Sequence, residues 1–486
     1  MGRKTHLMIL GTASHVGKSV LVAAFCHIFS RTMSVAPFKA QNMSLNSWIT
    51  EDGGEIGIAQ AIQAWAAGIE PTVEMNPILL KPKGDRLSQV IILGRPAYDR
   101  MAGDYYESID EVSGIVDDAL ARLEEMYDLI IIEGAGGAAE INLYDRDIVN
   151  IGTARSVKPA IILAGDIERG GVFASLYGTL ELLPEDIRAL VRGFVINKFR
   201  GDYDILKPGV LQLERITGVP VLGVIPYADI AIPSEDSVSI ADKHTCQRLI
   251  DIAVLHLPHI SNFTDFEPLE AFANVRYVPL ASDIGNPDVI IIPGTKNTIE
   301  DLLEIKKHGM DKRIIDMHRR VPIIGICGGY QMLGRTIIDC GFEDGVTEIS
   351  GMGLLDVATT FERYEKQTRQ VTKQVTCNGP ILGSIHGEMV SGYEIHTGDT
   401  TSTSPVFEDD GCIDESGLVF GTYLHGLFEN ENIRRALLGY ICEKKGISSK
   451  DTSFEIISME DRIREFAELV EQYVDISAIR GLLKIH

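Results

Sequence analysis

Two short stretches of this chain combine residue types that could do chemistry. The first covers residues 11–19 and ends in Gly17-Lys18-Ser19. Glycines let backbone amides turn toward phosphate oxygens, and a helix that begins there adds its positive end. Lys18 would contact the β- and γ-phosphates of a nucleotide, and the Ser19 hydroxyl would bind Mg²⁺. The stretch therefore predicts an ATP site containing Gly11, Thr12, Gly17, Lys18 and Ser19.

Three polar residues at the ends of later apolar runs could serve the same site. Glu133 follows the run 129–132 and precedes a glycine turn, which makes it a candidate Mg²⁺ ligand. Asp166 could contact the transferred phosphate, although a helix-capping role explains it equally well. Asn197 could read the adenine base, because a carboxamide both donates and accepts hydrogen bonds.

The second stretch surrounds Cys327, which follows the apolar run 322–326 and has glycines at positions 325, 328 and 329. A strained strand-to-helix turn needs such small neighbours to expose a nucleophile. The helix N-terminus beyond the turn would stabilise the attacking thiolate. These glycines favour a nucleophile over a merely buried cysteine.

A nucleophilic thiol also needs a base and donors for the oxyanion that its attack creates. His425 is the predicted base, because it ends an apolar run roughly 100 residues downstream, as in class I glutamine amidotransferases. His386 and His396 are rivals, but neither follows so clear a strand end. The N–H groups of Gly294 and Gly328 are the predicted oxyanion donors.

The elements that position these residues follow from the apolar pattern. Short apolar runs alternate with amphipathic stretches in both halves, which predicts parallel sheets covered by helices. In the first half the predicted strands are 6–10, 129–133, 160–164, 193–197 and 221–225, and the predicted helices include 18–30 and 109–126. In the second half the predicted strands include 251–255, 289–292 and 322–326, and the predicted closing helices are 431–446 and 459–485.

This organisation predicts four segments of an α/β protein. They are an ATP-dependent synthetase domain at 1–230, a linker rich in Pro, Ser and Asp at 231–248, a class I glutaminase domain at 249–446, and a helical extension at 447–486. The first glycine of the phosphate loop stands one position earlier than in the standard G-x-x-x-x-G-K-[ST] pattern. This spacing resembles that of the dethiobiotin synthetase branch of P-loop proteins. The apolar pattern of the extension predicts a helix and indicates no function for it.

Composition excludes several classes of protein. A content of 45% apolar and 23% charged residues in 486 is typical of a soluble globular protein. The net charge of -24 argues against broad contact with nucleic acid. Seven scattered cysteines without a C-x-x-C pair indicate reduced thiols. The apolar runs are too short to cross a bilayer and no signal peptide is evident, so no membrane contact and a cytoplasmic location are expected.

Four further stretches, at 37–47, 75–82, 139–150 and 392–396, are more specific than either motif. Together with the motifs they make nearly the whole chain resemble the glutamine-hydrolysing cobyric acid synthases of cobalamin biosynthesis. The resemblance implies ATP- and glutamine-dependent amidation of the b, d, e and g carboxylates of adenosylcobyrinic acid a,c-diamide through acyl phosphates. It also implies Cys327 as nucleophile and His425 as base, with Lys18, Ser19 and Glu133 serving ATP and Mg²⁺.

The resemblance adds two candidate residues and exposes two departures. Glu55 is a plausible second metal ligand, and Lys39 could contact phosphate or the substrate carboxylate, although a surface lysine is the simpler interpretation. Leu427 stands where many class I glutaminases have the Glu that completes a Cys-His-Glu triad. The residue that orients His425 is therefore left open, with Glu429 as one substitute. Residues 136–140 read Gly-Gly-Ala-Ala-Glu where the family usually has Gly-Ser-Pro-Ala-Glu.

Three alternatives remain at this point. The a,c-diamide synthase shares both domains and amidates an earlier corrinoid, but residues 39–43 and 141–147 favour cobyric acid synthase. A non-catalytic P-loop protein conflicts with the Cys327 and His425 motifs. A cobalt-binding protein would need a ligand cluster that His15, His244, His256 and His259 do not convincingly form. The sequence predicts neither the oligomeric state nor the corrinoid-binding residues.

Overall fold

The computed structural model describes residues 5–84, 87–101, 109–228, 248–341, 346–362, 366–447 and 454–485. Of the predicted linker at 231–248, residues 231–247 lie outside this described part. None of the described helices is both long and apolar enough to cross a lipid bilayer.

The N-terminal domain is built on a six-stranded parallel sheet. Its order is Val221–Pro226, Val191–Phe199, Ala160–Asp166, Thr5–Gly11, Leu129–Glu133 and Val35–Phe38. The central strands are buried along most of their length and rich in Ile, Val and Leu, which suits a parallel sheet with helices on both faces. Among its described residues, the α-helices of this region are Lys18–Ser30, Ile58–Ala66, Ile109–Met126, Thr153–Val157, Val172–Leu182, Glu185–Arg188 and Tyr203–Thr217. The predicted α/β class and its five strands are confirmed.

Between the strand Val35–Phe38 and the helix Ile109–Met126 the chain forms two smaller sheets that the apolar pattern did not predict. One has the order Gln41–Met43, Ile78–Gly84, Leu87–Ile92 and Arg95–Met101. The other is an antiparallel hairpin of Ser47–Ile49 and Glu55–Gly57. This hairpin faces the C-terminal domain.

The C-terminal domain is built on a second six-stranded sheet. Its order is Asn274–Pro279, Asp251–His256, Val289–Ile292, Ile323–Ile326, Val419–Thr422 and Cys412–Ile413, of which the last is antiparallel. Smaller sheets contain Val346–Ser350, Thr336–Cys340, Val357–Phe361 and Asp399–Ser402, and Gln367–Gln374, Met389–His396 and Leu424–His425. The helices of this domain include Glu267–Glu270, Thr298–Lys307, Met310–Met317, Gly328–Leu333 and Glu431–Lys445. The parallel strands end on one edge, where Gly294 and Cys327 follow two neighbouring strands.

The C-terminal extension forms two helices, Met459–Tyr473 and Ile476–Leu483, where one continuous helix was predicted. The prediction was wrong because Val474 pairs with Gly223 at the edge of the N-terminal sheet, and Asp475 caps the second helix. Phe466 and other apolar residues of the extension belong to the same core as the helix Lys18–Ser30. The end of the chain therefore completes the N-terminal domain.

Candidate functional site

The phosphate loop joins the strand Thr5–Gly11 to the helix that begins at Lys18. Gly17 has φ +97°, and a Cβ added there would lie 2.3 Å from the Asn197 amide nitrogen, so the position requires glycine. The Lys18 ammonium donates to the carbonyl oxygens of Ala13 at 3.0 Å and Gly136 at 2.8 Å. Lys18 is thereby held within the loop that would cradle phosphates.

Glu133 ends the neighbouring strand and is the centre of a buried polar cluster. Its carboxylate accepts hydrogen bonds from Ser19 Oγ at 2.8 Å, Lys39 Nζ at 3.0 Å and Gln63 Nε2 at 2.5 Å. Burial opposes ionisation, but Lys39, Gln63 and Ser19 keep the pKa of Glu133 below its ordinary value. The Ser19 hydroxyl and the Glu133 carboxylate are the hard oxygen ligands that Mg²⁺ prefers, so the pair fits that ion. Lys39 is buried, and its interpretation as a surface lysine was wrong.

Asp166 and Asn197 both brace the phosphate loop. Asp166 accepts a hydrogen bond from Lys198 Nζ at 2.9 Å, and the same ammonium donates to the His15 carbonyl at 2.8 Å. Asn197 donates to the Val16 carbonyl at 2.9 Å. Their proposed roles in phosphate contact and base reading stay predictions.

Glu55 lies in a buried ion cluster between the two domains. One carboxylate oxygen binds Lys81 and the other binds Lys366, which comes from the C-terminal domain. Burial opposes ionisation, but Lys366 and Lys81 keep the pKa of Glu55 well below its ordinary value. The role of Glu55 as a metal ligand stays a prediction, while the structure gives its carboxylate two lysine partners.

Cys327 occupies the strained turn predicted for a nucleophile. It has φ +51° and ψ -109°, it follows the strand Ile323–Ile326, and the next residue begins a helix. A Cβ added at Gly329 would lie 2.0 Å from the Ile292 carbonyl oxygen, which explains the glycine there. The thiol lies 3.3 Å from the Ile395 carbonyl oxygen.

His425 is buried beside this thiol and is held by Asp265. Its Nδ1 lies 2.7 Å from one Asp265 oxygen, and the other oxygen accepts the Gly426 N–H at 3.0 Å. Burial would lower the pKa of His425, but Asp265 and a hydrogen bond with Cys327 raise it to about 10. Asp265, His425 and Cys327 therefore lie together as a carboxylate, an imidazole and a thiol, with the imidazole held by the carboxylate.

The acid of this triad was missed by the sequence analysis, which named Glu429 as one substitute. Asp265 lies 160 positions from His425 in the chain, on the short helix Phe263–Phe266. Its one sequence signal is an aspartate in the stretch Phe263-Thr264-Asp265-Phe266, whose two phenylalanines are fully buried in the structure.

The predicted oxyanion glycines lie at the same place. A Cβ at Gly294 would lie 3.2 Å from the His425 ring, and one at Gly328 would lie 3.2 Å from the Thr295 backbone nitrogen. Their role as oxyanion donors stays a prediction. Of the rival histidines, His396 stacks on a tyrosine, and burial lowers its pKa to about 4.

A thiol at a strand-to-helix elbow, beside an imidazole that is held by a carboxylate, is the arrangement of a class I type of glutamine amidotransferase. Here it is joined to a nucleotide-binding P-loop domain. Two family models match in the same order: the CobQ/CobB/MinD/ParA nucleotide binding domain over residues 7–239 and the CobB/CobQ-like glutamine amidotransferase domain over residues 251–433.

Curated relatives extend the match to almost the whole chain. A probable cobyric acid synthase of Methanosarcina acetivorans is 62% identical over 479 residues, which cover 98% of this chain and 98% of the relative. One of Methanococcoides burtonii is 62% identical over 484 residues, which cover 99% and 97%. The chain belongs to the cobyric acid synthase family, carbon–nitrogen ligases of cobalamin biosynthesis with glutamine as nitrogen donor. The predicted family is confirmed.

Proposed function

We propose that this protein amidates the b, d, e and g carboxylates of adenosylcobyrinic acid a,c-diamide to give adenosylcobyric acid, consuming ATP and glutamine at each carboxylate. The observation that carries the proposal is the coexistence in one chain of the Cys327–His425–Asp265 triad and the P-loop with Ser19 and Glu133 at its mouth. A P-loop domain alone would need no such triad. Membership of the family supplies the corrinoid substrate.

The triad has the groups that glutamine hydrolysis requires. The Cys327 thiolate attacks the side-chain amide, and the His425 imidazolium protonates the departing ammonia while Asp265 stabilises its charge. Water then releases glutamate from the thioester. A cavity of about 400 Å³ in the same domain is lined by residues that include His396, Tyr423 and Tyr330, which belongs to the helix that follows Cys327.

The P-loop domain has the groups that activate a carboxylate. Lys18 and the backbone amides of the loop would hold the ATP phosphates while a propionate oxygen attacks the γ-phosphate. Mg²⁺ held by Ser19 and Glu133 would neutralise charge on the phosphates. Lys39 maintains the ionised form of Glu133. Ammonia then displaces phosphate from the acyl phosphate.

An internal route for ammonia is part of the proposal. A largely apolar cavity of about 250 Å³ lies between the domains and is bordered by Trp48, Trp65, Tyr393 and Asp265. Apolar walls favour neutral ammonia over ammonium. Product formed from [15N]amide-glutamine should keep its label despite excess unlabelled ammonium, whereas equal dilution of the label would refute a closed route.

Mass spectrometry of the corrinoid product tests the proposed reaction. The protein, ATP, Mg²⁺ and glutamine should add one amide for each free propionate of adenosylcobyrinic acid a,c-diamide. Cys327→Ala should retain this reaction only with added ammonia. Turnover of the undiamidated corrinoid alone would indicate the a,c-diamide synthase reaction, and the absence of glutamine hydrolysis would refute the assignment of the triad.

A further inference from the structure

The hairpin of the N-terminal domain lies directly against the glutaminase site. Four of its contacts with the other domain come from carbonyl oxygens, a carboxylate and an aromatic ring. These are Ile49 O with Gln370 Nε2 at 2.8 Å, Gly53 O with Thr368 Oγ1 at 2.8 Å, Glu55 with Lys366, and the ring of Trp48 with that of Tyr393 at 5.0 Å. Since the Tyr393 ring stacks on His425 at 5.4 Å, this interface reaches the catalytic base.

Asn262 is the point at which the two domains meet beside that base. Its side-chain oxygen accepts a hydrogen bond from the Ser47 N–H at 3.0 Å, and its own N–H donates to the Leu45 carbonyl at 3.3 Å. Its carbonyl accepts the Asp265 N–H at 3.0 Å. One buried residue therefore joins the N-terminal segment 45–47 to the acid of the triad.

The Asn262 amide also contacts the imidazole. Its nitrogen lies 3.5 Å from both ring nitrogens of His425. A group equally close to both nitrogens cannot lie in the ring plane without overlapping a ring carbon, so the amide lies over one face of the ring. This contact limits how far the imidazole can tilt.

The backbone at Asn262 explains why an asparagine stands there. Its φ is +50°, a left-handed conformation that Asn and Gly tolerate better than other residues. Asparagine alone of these two can also accept from Ser47 and cover the ring. The position is thus suited to both a tight turn and a contact across the domains.

We infer that Asn262 is a positioning residue for glutamine hydrolysis, and that the N-terminal segment 45–47 sets its position. The inference rests on the proposed glutaminase role of Cys327 and His425. It makes the glutaminase site dependent on the docked synthetase domain, since a hydrogen bond from that domain fixes the group that lies on the base.

Two variants of Asn262 separate this role from general stability. Asn262→Gly keeps the left-handed turn and its backbone hydrogen bonds but removes the amide. It should lower kcat for glutamine hydrolysis on the order of 10- to 100-fold with little change in KM, because a small displacement of a catalytic group costs about that much. Asn262→Asp keeps an acceptor for the Ser47 N–H but puts a second buried carboxylate beside His425, so it should move the alkaline limb of the kcat profile to higher pH, which a purely structural role would not do.

Gln370→Ala is the matched control, because it removes another hydrogen bond between the hairpin and the glutaminase domain. It should leave glutamine hydrolysis unchanged. Ammonia-dependent amidation should stay at the wild-type rate in all three variants, which excludes misfolding. An Asn262→Gly variant with wild-type kcat, or an Asn262→Asp variant with an unshifted pH profile, would overturn the inference. A wild-type protein that hydrolyses no glutamine would instead refute the proposed function.

Discussion

Asp265→Asn is the sharpest perturbation of the proposed triad, because it preserves the size of the side chain and removes its charge. In the wild-type protein the carboxylate lies 2.7 Å from His425 Nδ1 and accepts the Gly426 N–H at 3.0 Å. A neutral amide has one acceptor oxygen, so it can accept from His425 Nδ1 or from the Gly426 N–H but not from both. It offers no counter-charge to a buried imidazolium.

The size of the effect follows from the protonation of the imidazole. Burial lowers the pKa of His425, yet Asp265 and Cys327 raise it from 6.5 to about 10. This rise in the pKa of His425 corresponds to roughly 5 kcal/mol in favour of the imidazolium, at about 1.4 kcal/mol per pH unit. A raised pKa means that the charged form is kept below about pH 10 and lost above it. In the variant, only Cys327 opposes the effect of burial on the His425 pKa. The imidazolium therefore loses its proton at a lower pH, closer to neutrality.

We expect kcat for glutamine hydrolysis to fall by roughly 10³- to 10⁴-fold at neutral pH, since the same change in a serine-protease triad costs about 10⁴-fold. The assay is the pH profile of kcat with glutamine alone. The wild-type rate should hold its plateau to above pH 9, with its alkaline limb near the value of about 10 given by the His425 pKa. The alkaline limb of the variant should lie at least about two pH units lower.

Glu429→Gln is the matched control, because it removes an exposed carboxylate that borders the same cavity as Asp265 without being the hydrogen-bond partner of His425 Nδ1. It should leave the profile nearly unchanged. Ammonia-dependent amidation should be intact in both variants. A kcat for Asp265→Asn within tenfold of wild type, with the same alkaline limb, would refute the reasoning.

Three further predictions concern the N-terminal domain. Glu55→Gln leaves the buried ammonium groups of Lys81 and Lys366 without their carboxylate and should destabilise the protein by about 3–5 kcal/mol. Lys366→Met leaves Glu55 and Lys81 as a pair of opposite charges and should lower the free energy of unfolding far less. Urea unfolding of the two variants measures the difference. Phe466→Ala should cost about 3 kcal/mol and lower the temperature at which ammonia-dependent amidation is lost, because its ring lies in the core beside the helix Lys18–Ser30. Ser19→Ala should reduce ammonia-dependent amidation by at least roughly tenfold, measured with its dependence on Mg²⁺, and leave glutamine hydrolysis intact.

Each of these has a distinct contradicting result. Equal unfolding midpoints for the Glu55 and Lys366 variants would show that removing the shared carboxylate costs no more than removing one of its lysine partners, which would contradict the prediction. Earlier thermal loss of glutamine hydrolysis than of amidation in the Phe466 variant would contradict the placement of the extension. An unchanged Mg²⁺ dependence in the Ser19 variant would remove that hydroxyl from the ion site.

Local backbone demands explain why much of this protein could be predicted from its sequence. Gly17 and the glycines around Cys327 are required where the chain turns with positive φ or passes close to another backbone. These backbone constraints allow only glycine at several neighbouring positions, so they produce a motif that can be recognised in the sequence. The parallel strands were likewise predictable, because burial on both faces requires continuous apolar runs.

Tertiary structure alone decided which charged groups became partners. Asp265 reaches His425 across 160 positions, and Lys366 reaches Glu55 across 311, with no periodicity that could announce either pair. The two-helix extension also needed the edge strand of a distant domain to define where it breaks at Val474. A carboxylate takes the partner that the fold places beside it, because an unpaired buried charge is costly, and that partner can come from anywhere in the chain.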